Sequence, residues 1–139
     1  MLERLLLALI LCIAGVVLWR GYNRYSLRRL ATTPPPETAL SEVAEGVPVI
    51  LYFTTPFCTT CRTQQQPVLA EIGADFGARV QIIRVDATED PAAADRWGVF
   101  SAPTTFVLDA ELRPRHVNRG VATRELLREQ LEPLLPASA

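Results

Sequence analysis

Residues 51–61 read LYFTTPFCTTC and place Cys58 and Cys61 two residues apart, directly after a run of apolar side chains. The run starts at residue 47 as VPVILYF, a continuous apolar, β-branched stretch typical of a strand buried on both faces. The spacing of the cysteines alone fits a redox couple, half of a metal site, or two small core residues. The sequence around them is needed to distinguish these three interpretations.

A helix is predicted to begin at the cysteines and to run over residues 58–77. Apolar residues recur behind the motif at helical spacing, at Val68, Leu69, Ile72 and Phe76. Pro67 interrupts this pattern, so we expect the helix to kink there. Cys58 would then lie in the first turn of the helix.

The rest of the domain alternates predicted helices and strands. Helices are expected over residues 38–46, 89–98 and 123–135, the last one capped by Thr123. A strand is expected over 79–87, and two antiparallel strands joined by the turn DAEL are expected over 104–120. Strands separated by helices imply parallel crossovers. The predicted fold class is therefore α/β, with a mixed, mostly buried sheet between two layers of helices.

The position of the cysteine pair favours redox chemistry. A second thiol one helical turn after the first can bond to it without straining the backbone. The unpaired N–H groups and positive dipole at a helix start favour thiolate over thiol, and can lower the pKa of a cysteine from about 8.5 to roughly 3.5–7.5. This predicts Cys58 as the nucleophile and Cys61 as the resolving thiol.

The two other interpretations have weaker support. Structural zinc needs four ligands, and only His116 and scattered carboxylates could complete a set with this one cysteine pair. We therefore expect no metal. Two inert core cysteines fit poorly, because the neighbours of Cys58 are polar: Thr55, Thr59, Thr60 and Arg62.

Composition excludes several function classes. The chain has 139 residues, 49% of them hydrophobic and 21% charged, which suits one globular domain with an appendage. Every basic side chain is Arg, so Schiff-base and lysine-base chemistry is excluded. Residues 38–139 contain nine Arg and thirteen acidic residues, so this acidic domain does not attract phosphates and we expect no nucleic-acid partner. We expect a monomer.

The amino-terminal segment predicts a single-pass membrane helix. Residues 5–19, LLLALILCIAGVVLW, carry no charge and lie between Arg4 and Arg20. Fifteen residues are short for a span unless the arginine side chains extend to the interface. A signal peptide is the alternative, but no small-x-small cleavage site follows. Cys12 lies inside the run and is interpreted as a small apolar residue and not as a lipidation site.

Charge and composition divide the chain into three parts. Residues 1–30 form the membrane anchor with its basic flank, 31–37 a proline-rich linker, and 38–139 the main domain. Residues 1–30 contain five Arg and one Glu, with most of the Arg after the apolar run. The positive-inside rule then predicts a cytoplasmic domain.

Three stretches together resemble the thioredoxin superfamily over residues 38–133. They are LYFTTPFCTTC, VDATEDPAAADRWGVFSAPTTFVLD and HVNRGVATRELLREQL. The resemblance implies a thioredoxin-like three-layer fold. It also implies that Pro103 is a cis-proline facing the cysteines, and that Ala102, Pro103 and Thr104 bind an extended substrate chain. Phe57 stands where the family commonly has Trp and would pack on substrates.

The sequence departs from the thioredoxin pattern at two places. Tyr52 stands where the family usually has a buried Asp that takes the proton of the resolving thiol, with Arg84 as the accompanying basic residue. A phenol is a poor base at neutral pH. Thr59 and Thr60 replace the usual Gly-Pro pair. These three residues, Tyr52, Thr59 and Thr60, are expected to tune the active site.

The resemblance implies a thiol-disulfide oxidoreductase that exchanges disulfides with protein substrates, and the apolar segment 5–19 predicts that it is membrane-bound. It would need no cofactor beyond the Cys58–Cys61 disulfide, with another protein as electron donor or acceptor. The alternative is a binding or tethering module that keeps the fold and has little exchange activity. Transfer of a metal, or thiol chemistry linked to haem, would require a partner that the sequence does not reveal.

Overall fold

Four strands form one mixed sheet in the computed structural model, which describes residues 1–31, 43 and 46–136. Strand β1 is Val49–Thr54, β2 is Gln81–Asp86, β3 is Thr104–Leu108 and β4 is Pro114–Arg119. Their spatial order is β2-β1-β3-β4. Strand β1 pairs parallel with β2 and antiparallel with β3, which pairs antiparallel with β4. This is the predicted mixed α/β sheet.

The helices cover both faces of the sheet. Helix α1 is Leu2–Ala31, α2 is Gln66–Phe76, α3 is Pro91–Arg96 and α4 is Arg124–Leu131. Single 3-10 turns follow α2 and α4, at Gly77–Arg79 and Glu132–Leu134. The helix predicted over 38–46 and the linker predicted over 31–37 lie almost wholly outside the described residues.

Strand β1 is buried along its whole length because side chains alternate between two cores. Ile50 and Tyr52 join one core with residues of α2 and α4, including Leu69 and Leu127. The second core lies on the other face, where α3 packs. Its members include Val49, Leu51, Phe53, Ala93, Trp97 and Phe106. Neither face of β1 is exposed to solvent, which explains why every residue of the run VPVILYF is apolar.

The start of the helix after the cysteines differs from the predicted kink. Residues Cys61–Gln65 form a π-helical turn, in which the Gln66 N–H donates to the Cys61 carbonyl five residues earlier. Pro67 follows in the first turn of α2, where a missing N–H costs little. The irregularity thus lies one turn before the proline, next to the cysteine pair.

Side-chain caps begin helices α3 and α4, and a glycine follows the end of α3. The Asp90 side chain accepts a hydrogen bond from the Ala93 N–H at the start of α3. The Thr123 side chain accepts one from the Leu126 N–H, which confirms the predicted cap of α4. Gly98, with φ at +66°, ends α3 and turns the chain toward Val99 and Phe100.

Helix α1 has the length and apolarity of a membrane span. Residues Leu2–Arg29 have a mean hydropathy of 2.3 over the best window, and a signal sequence would share this property. Its apolar side chains are exposed in the isolated chain, and Cys12 is a free, exposed thiol within it. The carboxyl-terminal part of α1 lies beside β4, where Leu27 and Arg28 line a shallow pocket with Pro114 and Arg115.

Candidate active site

The two cysteines form a disulfide at the point where β1 ends and the helical segment begins. The S–S distance is 2.09 Å and the Cα atoms are 5.2 Å apart. A tight turn carries the chain from the buried strand to Cys58, whose N–H donates to the Thr55 carbonyl at 3.2 Å. The rigid strand and the first helical turn together fix the position of both sulfur atoms.

The two sulfur atoms have different surroundings. Cys58 is partly exposed, whereas Cys61 is fully buried with 0% exposure. The Cys61 N–H donates to the Cys58 sulfur at 3.1 Å. A backbone donor of this kind stabilises negative charge on the sulfur that it contacts. Cys58 is therefore the more accessible sulfur of the pair, and the division between an attacking Cys58 and a resolving Cys61 stays a prediction.

An open cavity of about 540 Å³ lies over Cys58. Phe57 and Phe100 are the most exposed aromatic side chains of the domain, at 92% and 83%. The full lining consists of Thr55, Phe57, Cys58, Thr59, Thr60, Ala87, Val99, Phe100, Ser101 and Ala102. The accessible sulfur is thus surrounded by apolar rings and short polar side chains.

The loop before β3 forms the wall opposite the cysteines. Ala102 lines the cavity, and the peptide bond that joins it to Pro103 is cis. Pro103 is buried and its carbonyl accepts a hydrogen bond from the Gly120 N–H at 2.9 Å. Thr104 is 1% exposed and its hydroxyl donates to the Ser101 carbonyl at 2.6 Å. Thr104 therefore holds the loop from inside and does not line the cavity.

Phe100 is a residue of this site that the sequence analysis did not single out. It precedes the cis bond by two residues in the stretch GVFSAP, where its neighbour Val99 also lines the cavity. The sequence did contain a signal for Phe100. It is an aromatic residue in the predicted loop between a helix and a strand, where the helical and strand patterns assign it no core position. Trp97, in contrast, is 2% exposed and packs in the core.

The residues expected to tune the site occupy two environments. Thr59 and Thr60 are exposed and line the cavity beside Cys58. Tyr52 is 2% exposed and lies in the same core cluster as Cys61. Arg84 is the register partner of Tyr52 on β2 but is itself exposed.

Gln65 fixes the base of the site and was also missed from the sequence. It is fully buried at the end of the π-helical turn. Its Nε2 donates to the Ala122 carbonyl at 3.2 Å, and its Oε1 accepts from the Ala122 N–H at 2.8 Å. The turn that follows Cys61 is thereby tied to the loop before α4.

Asp86 is the chain neighbour of a residue that lines the cavity. Asp86 ends β2, immediately before the cavity residue Ala87. The Thr88 hydroxyl and N–H donate to Asp86 Oδ1 at 2.6 and 2.8 Å, and these bonds lower the pKa of Asp86 below its usual value. Asp86 is therefore ionised at neutral pH. Within the described part of the chain, no three His, Cys, Asp or Glu residues are grouped so that they could hold a metal.

A partly exposed disulfide at a helix start, facing a loop with a cis peptide bond, defines a protein of the thiol-disulfide exchange class. Comparison with known proteins gives the family. Residues 37–132 match the family described as Thioredoxin. The thioredoxin of Bacillus subtilis is 36% identical over 90 residues, which cover 64% of this chain and 83% of that protein.

Two less similar proteins also match this chain. Thioredoxin M4 of Arabidopsis thaliana, a chloroplast protein, is 28% identical over 89 residues, covering 64% of this chain and 45% of that protein. A solved structure of thioredoxin-2, described as a component of malaria parasite protein secretion machinery, has a TM-score of 0.60 and 19% identity. That match covers 66% of this chain and 86% of the other, and it shows the fold alone.

The chain belongs to the thioredoxin family. The family and the Cys58–Cys61 disulfide support thiol-disulfide oxidoreductase activity at the general level.

Proposed function

We propose that the chain is a membrane-bound oxidoreductase that exchanges disulfides with protein substrates through Cys58 and Cys61. The observation that carries this proposal is the asymmetry of the pair, with one sulfur partly exposed under an open cavity and the other fully buried. An intermolecular reaction needs an accessible nucleophile. The second thiol must be shielded, so that it reacts only within the same chain.

The reaction conserves disulfides and thiols. The Cys58 thiolate attacks one sulfur of a substrate disulfide, forms a mixed disulfide and releases the other substrate sulfur as a thiolate, which takes up a proton. The Cys61 thiolate then attacks the Cys58 sulfur and releases the second substrate thiol. The protein finishes with the Cys58–Cys61 disulfide, and two electrons from a donor protein return it to the dithiol.

The cavity supports an extended polypeptide as substrate. Phe57 and Phe100 provide exposed apolar surface in the cavity over Cys58. Ala102 provides a backbone edge on the opposite wall, where a chain can add as a strand. Thr59 and Thr60 present hydroxyls beside the sulfur, which are suited to polar groups of the substrate backbone.

An insulin-reduction assay tests this proposal. The full chain in detergent micelles with dithiothreitol should accelerate the turbidity that reduced insulin produces, because Cys58 transfers electrons faster than the free dithiol. Cys58→Ser should abolish the acceleration. Arg62→Ala, an exposed change next to the motif, is the matched control and should retain it. Equal rates for the wild type and Cys58→Ser would refute the proposal.

The rival proposal is a binding module with little exchange activity. It is supported by Tyr52, which stands where the family usually has a buried Asp that takes the proton of the resolving thiol. The buried polar and charged residues of the described chain are Thr54, Gln65, Thr104, Thr105 and Asp109. Asp109 is the one carboxylate among them and lies in the turn after β3, so the buried residues of the described chain supply no carboxylate beside Cys61. A binding module would leave insulin turbidity unchanged and would bind its partners equally well as the Cys58→Ser variant.

We also propose that α1 anchors the domain in a membrane, with the domain on the cytoplasmic side. The apolarity of Leu2–Arg29 supports the anchor, and the arginines after residue 19 support the orientation. A membrane-impermeant thiol reagent applied to intact cells tests the side. Cys58 should be labelled only after lysis. Labelling of intact cells would place the domain outside the cytoplasm.

A further inference from the structure

Tyr52 and Cys61 lie in one core, and each has a polar group that lacks a partner there in one redox state of the site. Cys61 is fully buried in the disulfide form, so its sulfur has little contact with solvent. Tyr52 is 2% exposed, and its hydroxyl has no hydrogen-bond partner among the described residues. A buried hydroxyl without a partner is costly and uncommon, so its presence requires an explanation.

The two residues belong to the same contiguous cluster, on the face of the sheet covered by α2 and α4. Other polar groups on this face are less available to the buried sulfur. Both the nitrogen and the oxygen of the Gln65 amide already form hydrogen bonds with Ala122. The Thr105 hydroxyl also has no partner among the described residues, but its short side chain keeps it at the level of the sheet.

Reduction of the disulfide creates the partner that the phenol lacks. A disulfide sulfur carries no proton and accepts hydrogen bonds weakly. A thiolate accepts them strongly, and its negative charge in a buried site needs a donor. A phenol O–H is such a donor.

We propose that Tyr52 is a positioning residue of the reduced form, whose hydroxyl donates a hydrogen bond to the Cys61 sulfur once the Cys58–Cys61 bond is broken. The inference rests on the proposed function, since it concerns the dithiol state of the same site. It gives the residue that replaces the usual carboxylate a role as hydrogen-bond donor and not as base.

The step balances without a proton leaving Tyr52. In the mixed disulfide, Cys61 loses its proton to solvent and its thiolate attacks the Cys58 sulfur. The bond from Cys58 to the substrate breaks, and the substrate sulfur leaves with the electron pair and takes a proton from solvent. The Tyr52 proton remains on its oxygen and stabilises the Cys61 thiolate before the attack.

The reduction potential of Tyr52→Phe provides the first test. The substitution retains the ring and removes only the hydroxyl. Because the hydroxyl bonds the reduced form and not the disulfide, its loss should favour the disulfide by about tenfold in the equilibrium with glutathione. A tenfold change equals about 30 mV, so the potential should become more negative by that amount.

The pH dependence of resolution provides the second test. A hydrogen bond raises the thiolate fraction of Cys61 by about tenfold but reduces its nucleophilicity by about threefold. Tyr52→Phe should therefore slow the resolving step about threefold at pH 7 and move its pH midpoint upward. A merely structural role for Tyr52 would leave this midpoint unchanged.

Thr105→Val is the matched control, because it removes a buried, unpartnered hydroxyl from the neighbouring strand. It should shift the potential by less than half as much as Tyr52→Phe. An unchanged potential in Tyr52→Phe, or an equal shift in both variants, would overturn the proposal. All measurements use the full chain in detergent micelles. Failure of the wild type to accelerate insulin reduction would instead refute the proposed function.

Discussion

The buried Gln65 amide predicts a large and specific loss of stability. Gln65→Leu nearly preserves the volume of the side chain but removes both hydrogen bonds to Ala122. The Ala122 N–H and carbonyl are then left unpaired in a loop where Ala122 is 0% exposed. Orphaned buried groups cost about 1–3 kcal/mol each. The lower part of this range applies, because the exposed neighbour Val121 lets the loop move toward water.

The free energy of unfolding should therefore fall by about 2–4 kcal/mol. Urea unfolding of the oxidised full chain in micelles, followed by Trp97 fluorescence, measures this loss. Trp19 is replaced by Phe in every variant, so that the emission comes from the domain. With a slope of about 1.5 kcal/mol per M, the midpoint should drop by roughly 2 M.

Gln64→Leu is the control for this experiment. Gln64 is the preceding residue of the same π-helical turn but is exposed. Its substitution should change the free energy of unfolding by about 0.5 kcal/mol or less. Equal midpoints for Gln64→Leu and Gln65→Leu would refute the role assigned to the buried amide.

Three further outcomes are expected. Asp109→Asn should cost about 1.5–3 kcal/mol at pH 7, because Asp109 accepts bonds from the Arg113 N–H and the Arg115 guanidinium. Burial would raise the pKa of Asp109, but these bonds outweigh it and lower the pKa. The stabilisation is therefore present above the usual value of 3.8 and is lost as pH falls below it, so the unfolding curves of wild type and variant should converge in acid. Phe100→Ala should lower kcat/KM for insulin reduction roughly fivefold through lost apolar contact, whereas an unchanged value would exclude Phe100 from the substrate surface. Thr123→Ala should cost about 1 kcal/mol in the same urea assay, and no change would show that the cap of α4 is dispensable.

The order of the elements could be predicted because each one is marked in the sequence by a strong local pattern. The continuous apolar run VPVILYF predicts a strand that is buried on both faces. Thr123 marks the start of α4, and Gly98 marks the end of α3. The pairing of cysteines at a strand-to-helix junction predicted the disulfide site. These signals are local, so a single sequence contains them.

The parts that were missed depend on contacts between distant residues. Gln65 looks like one of three equivalent glutamines, and only the fold shows that it meets Ala122, 57 residues later. Thr104 was predicted to bind substrate, and the sequence does not show that its hydroxyl donates a hydrogen bond to the Ser101 carbonyl. The helix kink was predicted at Pro67, because the proline is visible in the sequence and the wider hydrogen bond of the π-helical turn before it is not.

The most direct test of the proposed function is to trap its mixed disulfide. In a Cys61→Ser chain, Cys58 can still attack a substrate disulfide but the resulting bond cannot be resolved. Substrate proteins should therefore accumulate in covalent complexes, visible on non-reducing gels and released by dithiothreitol. The Cys58→Ser, Cys61→Ser double variant should form none. If the single variant traps no more protein than the double variant, Cys58 is not the nucleophile of a protein-disulfide exchange.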